Sequence, residues 1–297
     1  MESEEQSFNF TAPDGLRLSG VRWGEGGDRI VFTPGNGFPV HCYRPALRDL
    51  SRRVEIHALN PRGLGGSDVP HELPGWEPLL GDLRAFIEAR LEPPVVMVGH
   101  SLGAMLSLWL AARAPALVKG LILLDPLVPY ELNTTPPVGG SQRDRDLIAR
   151  TRNRRERWPS KAEAADALRG RGVYEGWQEQ AFQLFTAEGL LEEPGGEVRL
   201  ACPPWLEARI YGSMPANAVW DWARNTKAPA VLLRGEDTDV ATPRALEQLA
   251  ELLPMAAVFS VKGGHAFAQQ YPEKTAQALI SAWELLARCM ADEEVSL

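Results

Sequence analysis

Cysteine is scarce in this 297-residue chain: only Cys42, Cys202 and Cys289 occur. They are far apart and odd in number, which offers neither a disulfide framework nor a paired metal-ligand motif. Positive charge is also short, with 31 Lys and Arg against 39 Asp and Glu, a net charge of −8 and a pI near 5.3. That balance excludes nucleic acid as the expected partner, because phosphates need a basic footprint. No apolar run approaches membrane-spanning length. The start, Met1-Glu2-Ser3-Glu4-Glu5, is acidic where a secretory leader is basic and then apolar. The expectation is a cytoplasmic protein without a membrane span, monomer or homodimer. Internal repeats and low-complexity tracts are absent as well.

What is present is strand-helix alternation. From Phe8 to Phe32 apolar and polar residues alternate around Asp14-Gly15 and Gly24-Glu25-Gly26-Gly27, which predicts two or three strands joined by tight turns. Val54–Leu59, Val95–Val98, Leu121–Leu124, Ala230–Leu233 and Ala257–Val261 are short apolar runs that read as buried strands of a mostly parallel sheet. Helical spacing of apolar residues runs through Trp76–Ile87 and again through Leu279–Met290. Leu102 to Ala114 is apolar nearly all round and stops at Pro115, as a covered central helix would. The alternation lapses over 127–226, a stretch with five tryptophans (Trp158, Trp177, Trp205, Trp220, Trp222) that predicts a helical cap inserted after the sixth strand. Residues 1–126 and 227–297 then form the two parts of one α/β core. The cap's beginning, Arg143 to Arg171, is rich in basic side chains, which reads as a solvated helix face.

Gly99-His100-Ser101-Leu102-Gly103 falls between a buried strand and that apolar helix. A G-x-S-x-G turn in this context lifts a serine hydroxyl above the sheet, with glycines where side chains would collide with backbone. The helix N-terminus beside Ser101 favours developing negative charge. A serine hydroxyl needs a base, and the base a carboxylate to orient it. His41, His57, His71 and His100 precede the serine. His265, in Lys262-Gly263-Gly264-His265 after the last predicted strand, stands in the chain order serine, acid, histidine that such a turn requires. For the acid, Arg234-Gly235-Glu236-Asp237-Thr238-Asp239 follows a strand; Asp239 is the first choice and Asp237 the second. Asp125, after Leu121–Leu124, is the third, with a structural turn before Pro126 as its competing reading. Oxyanion donors are expected from the backbone N–H of Leu102 and from Thr33-Pro34-Gly35-Asn36-Gly37-Phe38-Pro39, with Asn36 first and Phe38 next. Phe38 is also placed to contact substrate.

At these motifs the sequence resembles the α/β-hydrolase superfamily, from about Phe8 to the last helix with only the cap unaligned. Asn60-Pro61-Arg62-Gly63-Leu64-Gly65-Gly66-Ser67 resembles the superfamily's structural Asp-x-Arg-Gly-x-Gly-x-Ser segment, with Asn60 in place of Asp. The early loop resembles its His-Gly-x oxyanion segment, with Pro34 where His is usual and Asn36 at the donor position. Gly235-Glu236-Asp237-Thr238-Asp239 resembles a variant acid loop, Gly-Glu-x-Ser-Asp, which implies Asp239 as the acid, although some members of the superfamily take theirs from the position of Asp125. The resemblance implies a serine hydrolase without metal or organic cofactor, and the aromatic and leucine content of the expected cap suggests a small-molecule substrate, a small hydrophobic ester or related acyl compound. Same-triad lyase, thioesterase, peptidase or carbon–carbon bond hydrolase activity remains open, as does a ligand receptor with slow turnover.

Overall fold

The computed structural model describes residues 5–128, 130–134 and 140–295, with side chains through residue 291; the acidic start Met1–Glu4 lies outside them. The chain opens with β1 (Gln6–Thr11), β2 (Arg17–Trp23) and β3 (Arg29–Thr33), then α1 (Arg44–Leu47), β4 (Glu55–Leu59) and α2 (Glu77–Arg90). β5 (Val95–His100), α3 (Leu102–Arg113) and β6 (Val118–Leu124) follow. The insertion carries α4 (Gln142–Arg152), β7 (Arg157–Trp158), α5 (Lys161–Leu168), α6 (Glu179–Glu188), β8 (Leu190–Glu192), β9 (Val198–Leu200), α7 (Pro204–Gly212) and α8 (Val219–Asn225). β10 (Ala230–Gly235), α9 (Pro243–Leu252), β11 (Ala257–Val261), α10 (Phe267–Gln270) and α11 (Pro272–Val295) complete the core.

Eight strands form one sheet in the order β1-β2-β4-β3-β5-β6-β10-β11. β2 pairs antiparallel with β1 and β4, and every other pairing is parallel. Side chains alternate across the pleat. Val31, Met97, Leu121, Leu123 and Leu232 therefore join the core beneath α2, α3, α8 and α9. Phe32, Val98, Ile122, Leu124 and Leu233 join the core beneath α1 and α11. Both faces of the central strands are covered, which explains why β5 and β10 read as unbroken apolar runs. α3 is buried from Leu102 to Ala111 because α8 closes its outer side, with Trp222 stacked on Trp109 at 4.9 Å.

The insertion differs from a purely helical one. β7, β9 and β8 form a small antiparallel sheet on the buried side chains of Trp158, Val198, Leu190 and Leu200. Strands of two or three residues are too short to display a period of two, so the sequence pattern does not reveal them. The Asn60–Ser67 segment is structural: Arg62 makes two hydrogen bonds to Asp82, at 2.7 and 2.6 Å, and Asn60 Oδ1 accepts the Val40 N–H at 2.8 Å. Among the described residues no helix is long and apolar enough to cross a membrane.

Candidate active site

The end of β5 turns sharply into α3 at Ser101, whose backbone sits at φ 53° and ψ −112°, a region non-glycine residues rarely occupy. Its N–H donates to the Leu124 carbonyl at 2.9 Å, and the Gly103 N–H donates to that of Pro34 at 3.1 Å. Both flanking glycines are imposed by contact. A Cβ on Gly99 would stand 2.3 Å from the Gly103 carbonyl, and one on Gly103 would stand 2.0 Å from the Thr33 carbonyl oxygen. The spacing seen in the sequence is thus the footprint of three backbone segments crossing at one point.

Ser101 Oγ lies 2.9 Å from His265 Nε2, and His265 Nδ1 lies 2.7 Å from Asp125 Oδ2. Asp125 follows β6, the strand directly beside β5, and is 2% exposed. Its Oδ1 accepts the Gly235 N–H at 3.0 Å, and its Oδ2 accepts the Thr238 hydroxyl at 2.5 Å. A carboxylate can only accept, so Nδ1 of His265 carries its hydrogen toward Asp125 and Nε2 is left to accept from Ser101. This arrangement can take a proton from the serine and hold the resulting imidazolium.

The structure puts Asp125, the third choice from the sequence, against His265 and turns the first two choices elsewhere. Asp239 is 72% exposed at its side chain and ion-paired with Arg143, whose Nη1 also donates to the Asp239 carbonyl at 2.8 Å. Asp237 is exposed too. The loop after β10 closes through the Thr238 N–H to the Gly235 carbonyl at 3.2 Å, which turns Thr238 inward and both flanking carboxylates outward. That loop contributes two donors to Asp125.

His100, within the serine turn, is fully buried. Its Nε2 donates to the His265 carbonyl at 2.8 Å, so its Nδ1 accepts the Tyr43 hydroxyl at 2.7 Å. Tyr43 in turn accepts the Gly35 N–H at 3.0 Å. Burial, reinforced by His265 nearby, pushes the His100 imidazole down to about 3, which keeps it neutral as this chain of bonds requires. The only sequence signal for this role was the placement of His100 next to Ser101.

Leu102 is the first residue of α3, where an N–H has no acceptor within the helix. Asn36 is 5% exposed, and its Nδ2 donates to the Glu207 carbonyl in α7 at 3.0 Å. The Phe38 N–H donates to the Gly35 carbonyl at 3.3 Å. The Phe38 ring stands 5.0 Å from that of Trp177, joining Tyr174 and Phe185 in an aromatic cluster of the insertion. Glu207 is buried and ion-paired with Arg154; burial lifts its carboxyl to about 7 against the lowering effect of Arg154.

A model of the alpha/beta hydrolase family matches residues 30–278, and the chain belongs to that family of enzymes. It is 27% identical over 268 residues to 2-(acetamidomethylene)succinate hydrolase of Mesorhizobium japonicum, a match covering 87% of this chain and 89% of that protein. With N-formylmaleamate deformylase of Pseudomonas putida it shares 28% identity over 116 residues, 39% of this chain and 43% of the other. The crystal structure of E-2-(acetamidomethylene)succinate hydrolase superimposes with a TM-score of 0.80 at 23% identity, over 95% of this chain and 100% of that one. A thioesterase domain from the curacin biosynthetic pathway gives 0.75 at 19% identity, over 94% and 99%. At these identities the structural likeness concerns the fold.

Proposed function

We propose that the protein is a serine hydrolase that cleaves a small acyl compound, an ester or a related amide, through Ser101, His265 and Asp125. The observation that carries this reading is the unbroken run from Ser101 Oγ to His265 at 2.9 Å and on to Asp125 at 2.7 Å. His265 removes the serine proton as the hydroxyl attacks the acyl carbonyl, and Asp125 holds the imidazolium that forms. The backbone N–H groups of Asn36 and Leu102 receive the oxyanion, each worth roughly 3 kcal/mol of barrier. His265 then protonates the leaving group, and water repeats the sequence to release the acid.

Residues 127–226 act as the cap. Phe38 against Trp177 and Asn36 against Glu207 support its seat over the early loop. The cap's aromatic content supports a small, largely apolar acyl group. The amide arm rests on the relative that matches most of this chain, which is named as the hydrolase of an acetamido compound. The test is labelling with a fluorophosphonate followed by peptide mapping, then turnover of a chain-length series of nitrophenyl esters beside matched acetamides. Label on Ser101 with turnover in either series is expected. Label elsewhere, or none, overturns the reading.

A further inference from the structure

The early loop is held from two sides. From the core, the Gly35 N–H is bound by the Tyr43 hydroxyl at 3.0 Å. From the insertion, Asn36 Nδ2 donates to the Glu207 carbonyl at 3.0 Å. Asn36 Oδ1 is buried without a partner among the described residues, so the bond to Glu207 is what fixes the amide. One residue on, Gly37 at φ +83° faces the side chain of the same residue: a Cβ there would stand 3.1 Å from the Glu207 carboxylate. The peptide that carries the Asn36 N–H lies between these two fixings.

α7 is itself bolted to the core. The Ile210 carbonyl accepts from Trp76 Nε1 at 2.8 Å, and Arg209 Nε donates to the Leu73 carbonyl at 2.7 Å. Leu206 fills the space where a Cβ on Gly63 would stand, 2.1 Å from its Cδ2. Glu207, 4% exposed, has Arg154, two residues beyond α4, as its counter-charge, and breaking a buried pair leaves a costly lone charge. α7 is therefore a fixed bracket within the insertion.

We infer that Asn36 is a positioning residue through its side chain: the bond to Glu207 sets the direction of its own backbone N–H, so the insertion takes part in building the oxyanion site. This rests on the proposed oxyanion role of Asn36. Asn36→Ala keeps the backbone N–H and removes the tether. Asn36→Asp keeps the size but replaces the donor with an acceptor facing the Glu207 carbonyl.

The experiment compares wild type with both variants by kcat and KM on nitrophenyl acetate, by inhibition with phenylboronic acid, which forms a tetrahedral adduct on the serine, and by fluorophosphonate labelling. Asn36→Ala is expected to lower kcat and boronate affinity each about 10-fold, a fraction of the loss of a whole donor, with KM within about twofold. Asn36→Asp is expected to lose more, and it also provides the reading if the alanine variant does not fold. Labelled wild type with both variants unchanged in kcat, or changed only in KM, overturns the inference and leaves the serine mechanism standing. Wild type that does not label at Ser101 removes both.

Discussion

Asp125 Oδ2 stands 2.7 Å from His265 Nδ1, and the same oxygen accepts the Thr238 hydroxyl at 2.5 Å. The carboxylate comes from the strand next to the serine strand, while the loop after β10 supplies donors that aim it. A hydrogen bond to a charged group is worth about 1.5–3 kcal/mol. Thr238→Val should therefore lower stability by about that amount and kcat roughly 10-fold, with KM little changed. Steady-state kinetics beside circular dichroism checks this; unchanged kcat would mean that Thr238 does not hold the acid.

His100 should give the protein an acid-side weakness. Its imidazole is held at about 3 in the fold against 6.5 when free, so the unfolded chain takes up a proton below pH 6.5 that the folded one refuses. The stability it contributes is complete above pH 6.5 and is lost as pH falls from there toward 3, by up to ~1.4 kcal/mol per pH unit. Melting curves between pH 8 and 5 should fall more steeply for wild type than for His100→Gln. Parallel curves would contradict the buried neutral histidine.

Gly103→Ala tests the crossing of backbones under the serine. The added methyl would meet the Thr33 carbonyl at 2.0 Å, a backbone atom that no rotamer change can move. Destabilisation of more than about 3 kcal/mol in urea unfolding is expected. Gly81, whose Cβ meets nothing within 4 Å, is the control: Gly81→Ala should be neutral or slightly stabilising.

The legible parts of this molecule are those set by local burial and by spacing. β5, β6 and β10 are covered on both faces, so the apolar runs Val95–Val98, Leu121–Leu124 and Ala230–Leu233 fall inside them, although β6 starts earlier, at Val118. Gly99 and Gly103 advertise a close approach, and chain order singles out the histidine, His265, that lies 2.9 Å from Ser101. Which carboxylate meets His265 was not legible, because Asp125 and Asp239 both follow buried strands; the difference is which side chain the β10 loop turns inward, and that depends on Thr238 meeting a carboxylate 113 positions away. The service of His100 was hidden for the same reason. It depends on Tyr43, 57 positions earlier, and a histidine beside a serine says nothing of either.

The measurement that bears most directly on the site is kcat/KM for Asp125→Asn and Asp239→Asn, determined side by side on one nitrophenyl ester. Asp125→Asn should lose on the order of 10⁴-fold while remaining folded, because the amide turns His265 to the wrong tautomer. Asp239→Asn, which loses only an exposed pairing with Arg143, should stay within about threefold of wild type. Loss at Asp239 with activity kept at Asp125 would contradict the account.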